Sequence, residues 1–316
     1  MSERFHNSPL SPDGRVHDAT RLNWVDRFCP PWSRPWLRLS RADRPIGTWL
    51  LLIPCWWTIA LASIRYGWTL WDLWLFVGCA IGAFLMRGAG CTWNDYTDRE
   101  FDAQVARTRS RPIPSGQVTP TGALVWMCIQ ALLAFLILLS FGFPAIWWGV
   151  ASLAIVCIYP FAKRFTWWPQ VFLGLAFNWG ALLVWVAKTG EISVPALFLY
   201  AAGIAWTLHY DTIYAHQDRE DDELIGVRST ARLFGEDTGR MLWLFTALVA
   251  VLAGMAVLTA FGGWLALLGV AALVGHMAWQ TRTLDIDDPE LCLMLFRSNN
   301  IAGLMLLVGL IADSLL

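Results

Sequence analysis

From residue 45 to the C-terminus, apolar runs of about 17 to 23 residues alternate with short polar breaks. A helix needs that length to cross the hydrocarbon core of a bilayer. The pattern predicts nine membrane-spanning helices, at about 45–65, 71–93, 122–141, 145–161, 169–187, 195–213, 240–260, 263–280 and 298–315. The connections after the odd-numbered spans are short: "RYGWTL", "FGFPA", "KTGEIS" and "FGG". Those after the even-numbered spans carry the charge. The expected fold is all-α, a polytopic membrane protein. Residues 1–40 break the pattern. They are polar, Pro-rich and basic, with no apolar stretch of the kind a secretory signal carries. Within them Trp24, Phe28, Trp32 and Trp36 recur at a spacing of four among Arg21, Arg27, Arg34 and Arg38, as an interfacial amphipathic anchor would have it. Pro30, Pro31 and Pro35 would interrupt a helix there. The expectation is a disordered first twenty residues, then a segment skimming the membrane surface, and a transmembrane domain over 41–316.

Composition agrees. The chain has 316 residues, 57% hydrophobic and only 15% charged, against about 25% charged in soluble domains. Net charge is near zero, but its distribution is uneven. Twenty of the 23 lysines and arginines precede the first span or follow an even-numbered one. Arg65 and Lys188 lie on the other side, and Arg87 falls within the second span. The positive-inside rule then places the N-terminus and the even loops in the cytoplasm and the C-terminus outside. The seven cysteines lie mostly inside apolar runs without a CxxC pair, which points to buried hydrophobes rather than disulfides or zinc.

Two acidic stretches stand out. "NDYTDREFDAQVARTRSRP" follows the second span from Asn94, and "DTIYAHQDREDDELIGVRST" closes the sixth from Asp211. "DREFD" at 98–102 and "DREDD" at 218–222 lie 120 positions apart, after spans that run in the same direction. The echo reads as a parallel repeat of two four-helix units plus a last helix, an arrangement that often places a site where the halves meet. If the second span continues as a helix through its motif, Asn94, Asp95, Asp98 and Asp102 share one stripe. If the sixth does likewise, Asp211, Asp218 and Asp222 share another, with Asp221 drifting off it. Neither stripe contains a lysine.

Topology asks for positive charge at a cytoplasmic helix end and nothing of acids there. Packed carboxylates repel unless some take up protons or a cation joins them. Oxygen ligands without His or Cys suit Mg²⁺, which typically binds through a few carboxylates plus substrate phosphate. Two such patches would hold a diphosphate through bridging metals. Arg107, Arg109 and Arg111, in a loop shaped by Pro112, Pro114 and Gly116, can clamp phosphate oxygens. So can Lys163 and Arg164, after Tyr159 and Pro160.

These residues also carry a resemblance. "NDYTDREFD", "RTRSRPIPSG", "DTIYAHQDREDDELIGVRSTA", "RADRPIGTWLLLIPCWW" and "YPFAKRFTWWPQ" resemble motifs of the UbiA-type intramembrane aromatic prenyltransferases. The likeness covers about residues 38–316. The second long motif, with Asp211, Tyr214 and the run Asp218 to Asp222, resembles the branch that acts on 4-hydroxybenzoate in ubiquinone biosynthesis. The resemblance implies nine transmembrane helices around a central cavity and a Mg²⁺-bound polyprenyl diphosphate that ionises to an allylic cation. That cation is attacked by the ring carbon ortho to the hydroxyl of 4-hydroxybenzoate. It implies metal and diphosphate binding by Asn94, Asp98, Asp102, Asp218 and Asp222. It also implies that Arg99, Lys163 and Arg164 hold diphosphate or the aromatic carboxylate, with Arg44 near the aromatic acid. Tyr159, Arg107, Arg111, Asp211 and Tyr214 join the expected substrate contacts, and Arg164 the catalytic set.

A divalent-cation transporter would place acids near the middle of broken helices, often in inverted repeats, and would not need the arginine loops. A structural subunit of a membrane assembly needs no ordered acidic stripes. Within the family, prenylation of haem, or of a menaquinone, plastoquinone or tocopherol precursor, remains open to the first motif alone. The expected partners are polyprenyl diphosphate, 4-hydroxybenzoate and the lipid bilayer, with no nucleic acid. The short loops fit a bacterial inner membrane.

Overall fold

The computed structural model describes residues 23–104, 108–219, 223 and 226–316, the side chain of Asp218 excepted. Among the described residues all regular structure is helical. Two short helices, α1 (Trp24–Phe28) and α2 (Arg34–Leu39), precede α3 (Ile46–Tyr66), α4 (Leu70–Thr97) and the single turn α5 (Arg99–Asp102). Then come α6 (Pro120–Leu139), α7 (Phe143–Phe165), α8 (Pro169–Thr189) and α9 (Val194–Ala215). After a 3₁₀ turn at His216–Asp218 follow α10 (Thr230–Phe234), α11 (Thr238–Thr259), α12 (Trp264–Thr283), α13 (Pro289–Arg297) and α14 (Asn299–Ser314). Each of the nine expected spans coincides with a long helix to within about four residues at its ends.

Eight helical stretches among the described residues are long and apolar enough to cross a membrane. The one left out is α9, the expected sixth span. Its second half carries Thr207, His209, Tyr210, Asp211 and Thr212, and most of its side chains are buried against protein. A helix enclosed by other helices has no need of a lipid-facing apolar surface, provided its polar groups find partners. Several do: Asn178 Nδ2 donates to Thr207 Oγ1 at 2.9 Å, Trp206 Nε1 to Asn299 Oδ1 at 3.0 Å, and His209 Nε2 pairs with Thr281 Oγ1 at 3.0 Å. By contrast α6 leaves Val125, Ile129, Leu132, Leu133 and Leu136 exposed, a surface suited to lipid and not to water.

The chain divides into two units. The smaller holds residues up to Pro45 and Phe84–Ala134; the larger holds Ile46–Ala83 and Phe135–Leu316. In the larger, α3 packs on α8 and α14, α9 on α8 and α11, and α12 on α11 and α14. Its short connections gather at one end. Lys188 Nζ bonds Gly67 O at 3.1 Å and pairs with Asp72. Trp68 Nε1 bonds Ser314 Oγ at 3.0 Å, Trp74 Nε1 bonds Ser140 Oγ at 2.8 Å, and Gly263 N bonds Asp313 Oδ2 at 2.7 Å. The charged connections of this unit meet at another end. There Arg228 N bonds Lys163 O at 3.2 Å, Thr230 N bonds Gln170 Oε1 at 3.2 Å, and Arg219 pairs with Asp287 at 3.4 Å. The alternation of loops read from the sequence is therefore kept within this unit.

Helices α12 and α14 approach most closely at glycines. A Cβ built on Gly309 would lie 2.6 Å from Gly269 Cα and 2.8 Å from Leu265 O, both backbone atoms. Small residues permit such contact between membrane helices. Gly309→Ala should therefore destabilise the purified protein by about 1–3 kcal/mol through forced separation of the pair. Gly275→Ala, on α12 with open space around it, should be neutral or slightly stabilising. Equal thermal midpoints for the two variants would contradict the packing.

Candidate active site

In the smaller unit the first acidic motif occupies the last turn of α4 and all of α5. The helix expected to run straight through it is interrupted: α4 ends at Thr97, and Asp98 sits at φ −100°, ψ 3° as the cap of α5. The helical hydrogen bonding survives the interruption. Asp98 N donates to Asn94 O at 3.0 Å and Asp102 N to Asp98 O at 2.8 Å. The one-turn spacing of Asn94, Asp98 and Asp102 is thus preserved. Asp98 is 1% exposed, Asp95 0% and Asp102 7%.

Arginines from two other segments face Asp95 and Asp102. Arg111 Nη1 lies 2.8 Å from Asp102 Oδ2 and 3.3 Å from Asp95 Oδ1, and Arg41 Nη2 lies 2.6 Å from the same Asp95 oxygen. The loop that brings Arg111 in is a series of turns. Arg111 N bonds Thr108 O, Thr108 Oγ1 bonds Asp102 O, and Gly116 takes φ 75°. Ile113 and Val118 bury that loop against Leu39 and Ala123. Burial is the largest influence on Asp102 and pushes its carboxyl above the usual carboxylate range. Arg111 pulls it back down, while the charges of Asp95 and Asp98 push it further up. A cation at this site would relieve that repulsion.

Other expected residues fall as follows. Arg44, at the approach to α3, is mostly buried and pairs with Asp43 at 3.3 Å. Arg99 folds back on α4, bonding Tyr96 O at 2.8 Å with its guanidinium 4.8 Å from the Tyr96 ring centre. Arg107 lies outside the described residues. Residues 23–40, expected to skim the membrane surface, form α1 and α2. Arg38 and Asp26 pair at 2.6 Å, and Trp24 Nε1 bonds Ala42 O at 2.8 Å. Phe28 and Trp32 remain over 70% exposed.

In the larger unit the second motif begins in the last turns of α9. Asp211 and Tyr214 are half-buried there, and the Tyr214 ring lies 4.4 Å from that of Phe296. The end of α9 is fixed by Thr212 Oγ1 against Thr230 Oγ1 at 2.7 Å and by His216 Nε2 against Thr238 Oγ1 at 3.0 Å. Burial lowers the His216 imidazole to about 4, helped by Arg219 and opposed by Asp287, so it is neutral at physiological pH. Asp218 closes the 3₁₀ turn, but its carboxyl, like Asp222, lies outside the described positions. Tyr159, Lys163 and Arg164 share the last turns of α7, with Arg164 exposed and its guanidinium 5.0 Å from the Phe161 ring centre.

Three residues of interest carry weak sequence signals. Arg41 and Asp95 are ordinary in composition, and their pairing spans 54 positions. Arg87, half-buried on α4, lies seven residues before Asn94 and so within about 20° of it around the helix. A charge within a membrane helix is itself a pointer to function.

The donors of the first motif are all oxygen, with no His or Cys among them, a set that suits a hard divalent cation. Among the described residues no three His, Cys, Asp or Glu side chains form a metal cage on their own. Mg²⁺ needs none, since it keeps waters and takes phosphate oxygens from its substrate.

The family model of the UbiA prenyltransferase family matches residues 51–304. A mitochondrial 4-hydroxybenzoate polyprenyltransferase of Aedes aegypti is 45% identical over 96% of this chain and 74% of its own length. The corresponding proteins of Bos taurus and Mus musculus are each 46% identical, over 92% and 99% of this chain and 78% and 83% of theirs. Among solved structures, the apo structure of a UbiA homolog from Aeropyrum pernix K1 superposes with a TM-score of 0.70 at 23% identity, covering 85% of this chain and 98% of that one. A UbiA homolog from Archaeoglobus fulgidus bound to GPP and Mg²⁺ gives 0.62 at 18% identity, covering 89% and 100%. These last two likenesses concern the fold.

Proposed function

The chain belongs to the UbiA prenyltransferase family, and on that premise we propose that it transfers a polyprenyl group from polyprenyl diphosphate to 4-hydroxybenzoate. The new bond forms at the ring carbon ortho to the hydroxyl, in ubiquinone biosynthesis. One observation carries the reading: identity of 45–46% to 4-hydroxybenzoate polyprenyltransferases runs over more than 90% of the chain, and so includes both long motifs. A cation transporter accounts for neither that identity nor the arginines around the first motif.

In this reading the prenyl C1–O bond breaks, the electron pair leaves with diphosphate, and the acceptor ring carbon attacks C1 and then loses its proton. Asn94, Asp98, Asp102, Asp218 and Asp222 would hold Mg²⁺, which would supply Lewis acidity toward the leaving group. Arg107, Arg111, Lys163 and Arg164 offer donors to phosphate oxygens. Arg44, Arg99 and the intramembrane Arg87 would pair with the acceptor carboxylate. Tyr159, Asp211 and Tyr214 line the substrates. Helices embedded in lipid keep water from the allylic cation, which would otherwise hydrolyse.

The chain is an integral membrane protein. The relatives named above are mitochondrial, and they give a bacterial inner membrane no support. We read the transmembrane prenyltransferase domain as 41–316 and residues 1–40 as an N-terminal extension, with that extension and the basic loops cytoplasmic if the membrane is bacterial.

The test is direct. Membranes bearing the protein receive Mg²⁺, a polyprenyl diphosphate and a panel of acceptors: 4-hydroxybenzoate, the aromatic precursors of menaquinone and of plastoquinone or tocopherol, and haem. 4-Hydroxybenzoate should be preferred by at least about a hundredfold in kcat/KM, the scale on which a pocket shaped to one ring separates acceptors of different size. Equal use of another acceptor would overturn the assignment.

A further inference from the structure

We infer that Arg41 and Asp95, which take no part in the proposed reaction, form the positioning element that sets Arg111 against Asp102. The inference rests on the reading that the first motif holds metal and diphosphate.

Asp95 stands inside that motif, yet its carboxyl is fully enclosed. Its Oδ1 receives Arg41 Nη2 at 2.6 Å and Arg111 Nη1 at 3.3 Å. The same Arg111 nitrogen reaches Asp102 Oδ2 at 2.8 Å. One buried oxygen therefore ties together the segment before α3, the end of α4 and the loop after α5. Arg41 is itself held in place from behind. Its backbone is in the left-handed region at φ 57°, a conformation an arginine keeps only where its surroundings impose it. Ser40, immediately before it, accepts at Oγ from Trp126 Nε1 at 2.8 Å and Gln130 Nε2 at 2.9 Å. The direction of the Arg41 side chain is thus fixed by α6, and through Asp95 it fixes Arg111. Without the Asp95 charge, Arg41 and Arg111 face each other as like charges, and Arg111 loses a carboxylate partner. Asp102 would then be presented to a metal in several geometries instead of one. Groups that orient metal ligands typically change metal affinity by about ten- to a hundredfold.

The test uses the full-length protein in lipid nanodiscs, with Mn²⁺ as the probe, its binding read by electron paramagnetic resonance. Asp95→Asn and Arg41→Ala should each weaken Mn²⁺ binding about ten- to a hundredfold and raise KM for the prenyl diphosphate, while KM for 4-hydroxybenzoate stays within about twofold. Arg41→Lys, which keeps the charge, should recover most of the affinity. The double variant should be no worse than the poorer single one, since the two act as a unit. Unchanged Mn²⁺ affinity in folded Asp95→Asn, or effects that multiply in the double variant, would overturn the inference. So would loss of all Mn²⁺ binding in Asp95→Asn with a silent Arg41→Ala, since Asp95 would then be a ligand itself. Where Asp95→Asn does not fold, Arg41→Ala and Arg41→Lys decide the matter alone. The underlying reading fails separately, if Asp98→Ala leaves Mn²⁺ binding intact.

Discussion

Asp98→Ala should abolish prenyl transfer, by at least about a thousandfold in kcat/KM, while the protein stays folded in its membrane. Removal of a group that holds a catalytic metal takes away Lewis acidity and positioning together, and such losses run to several kcal/mol of transition-state stabilisation. The fold should tolerate the change for a local reason. Asp98 is buried beside two other acids, and its charge is among those that push Asp102 upward. Its removal relieves repulsion and draws the Asp102 carboxyl back toward the ordinary range. Alanine keeps the backbone hydrogen bonds that run from Asp98 N to Asn94 O and from Asp102 N to Asp98 O. EDTA should silence the wild-type enzyme equally, and added Mg²⁺ should restore it. Thermal midpoint and turnover measured on the same membranes separate lost chemistry from lost folding. Full activity in EDTA would sink the metal reading, and turnover within tenfold of wild type in Asp98→Ala would remove this residue from it.

The spans are legible because crossing lipid imposes a length and an apolar composition that few other structures share. Helix α9 shows the limit of that signal: it is long and buried but faces protein, so Thr207, His209 and Thr212 are admitted where lipid would exclude them. The acids of the first motif are legible too, since their one-turn spacing survives the break at Asp98. What their spacing could not disclose is the source of the opposing charge. An acidic stripe without lysine reads as uncompensated, yet Arg41 and Arg111 arrive from elsewhere in the sequence to meet Asp95 and Asp102. Such pairing depends on tertiary turns, including the left-handed backbone at Arg41, and periodicity carries no trace of it. The segment after Asn23 illustrates a different limit. Pro30, Pro31 and Pro35 rule out one continuous helix, but they leave room for two short ones, the second starting with a proline in its first turn, where the missing N–H does no harm.

Asp218→Ala should match Asp98→Ala, with a loss of at least about a thousandfold in kcat/KM, because the proposed reaction asks both motifs to act on one diphosphate. A diphosphate that loses its prenyl group carries more negative charge than one set of carboxylate-held metal can neutralise, and electrostatic stabilisation of the leaving group dominates such a step. Thr212 and His216 fix the end of α9 just before Asp218. The expectation for Asp218 and Asp222 themselves rests on their chemistry. That chemistry has a thermodynamic signature. Each motif alone should bind Mn²⁺ weakly, because phosphate oxygens must complete the coordination shell. A non-hydrolysable prenyl diphosphate should then tighten Mn²⁺ binding at least tenfold, about 1.4 kcal/mol of coupling, and Mn²⁺ should tighten the analogue by the same factor. Asp98→Ala and Asp218→Ala should each remove that coupling. If Asp218→Ala keeps both the coupling and near-normal turnover, the second acidic motif is a remnant of duplication, and the first motif works without it.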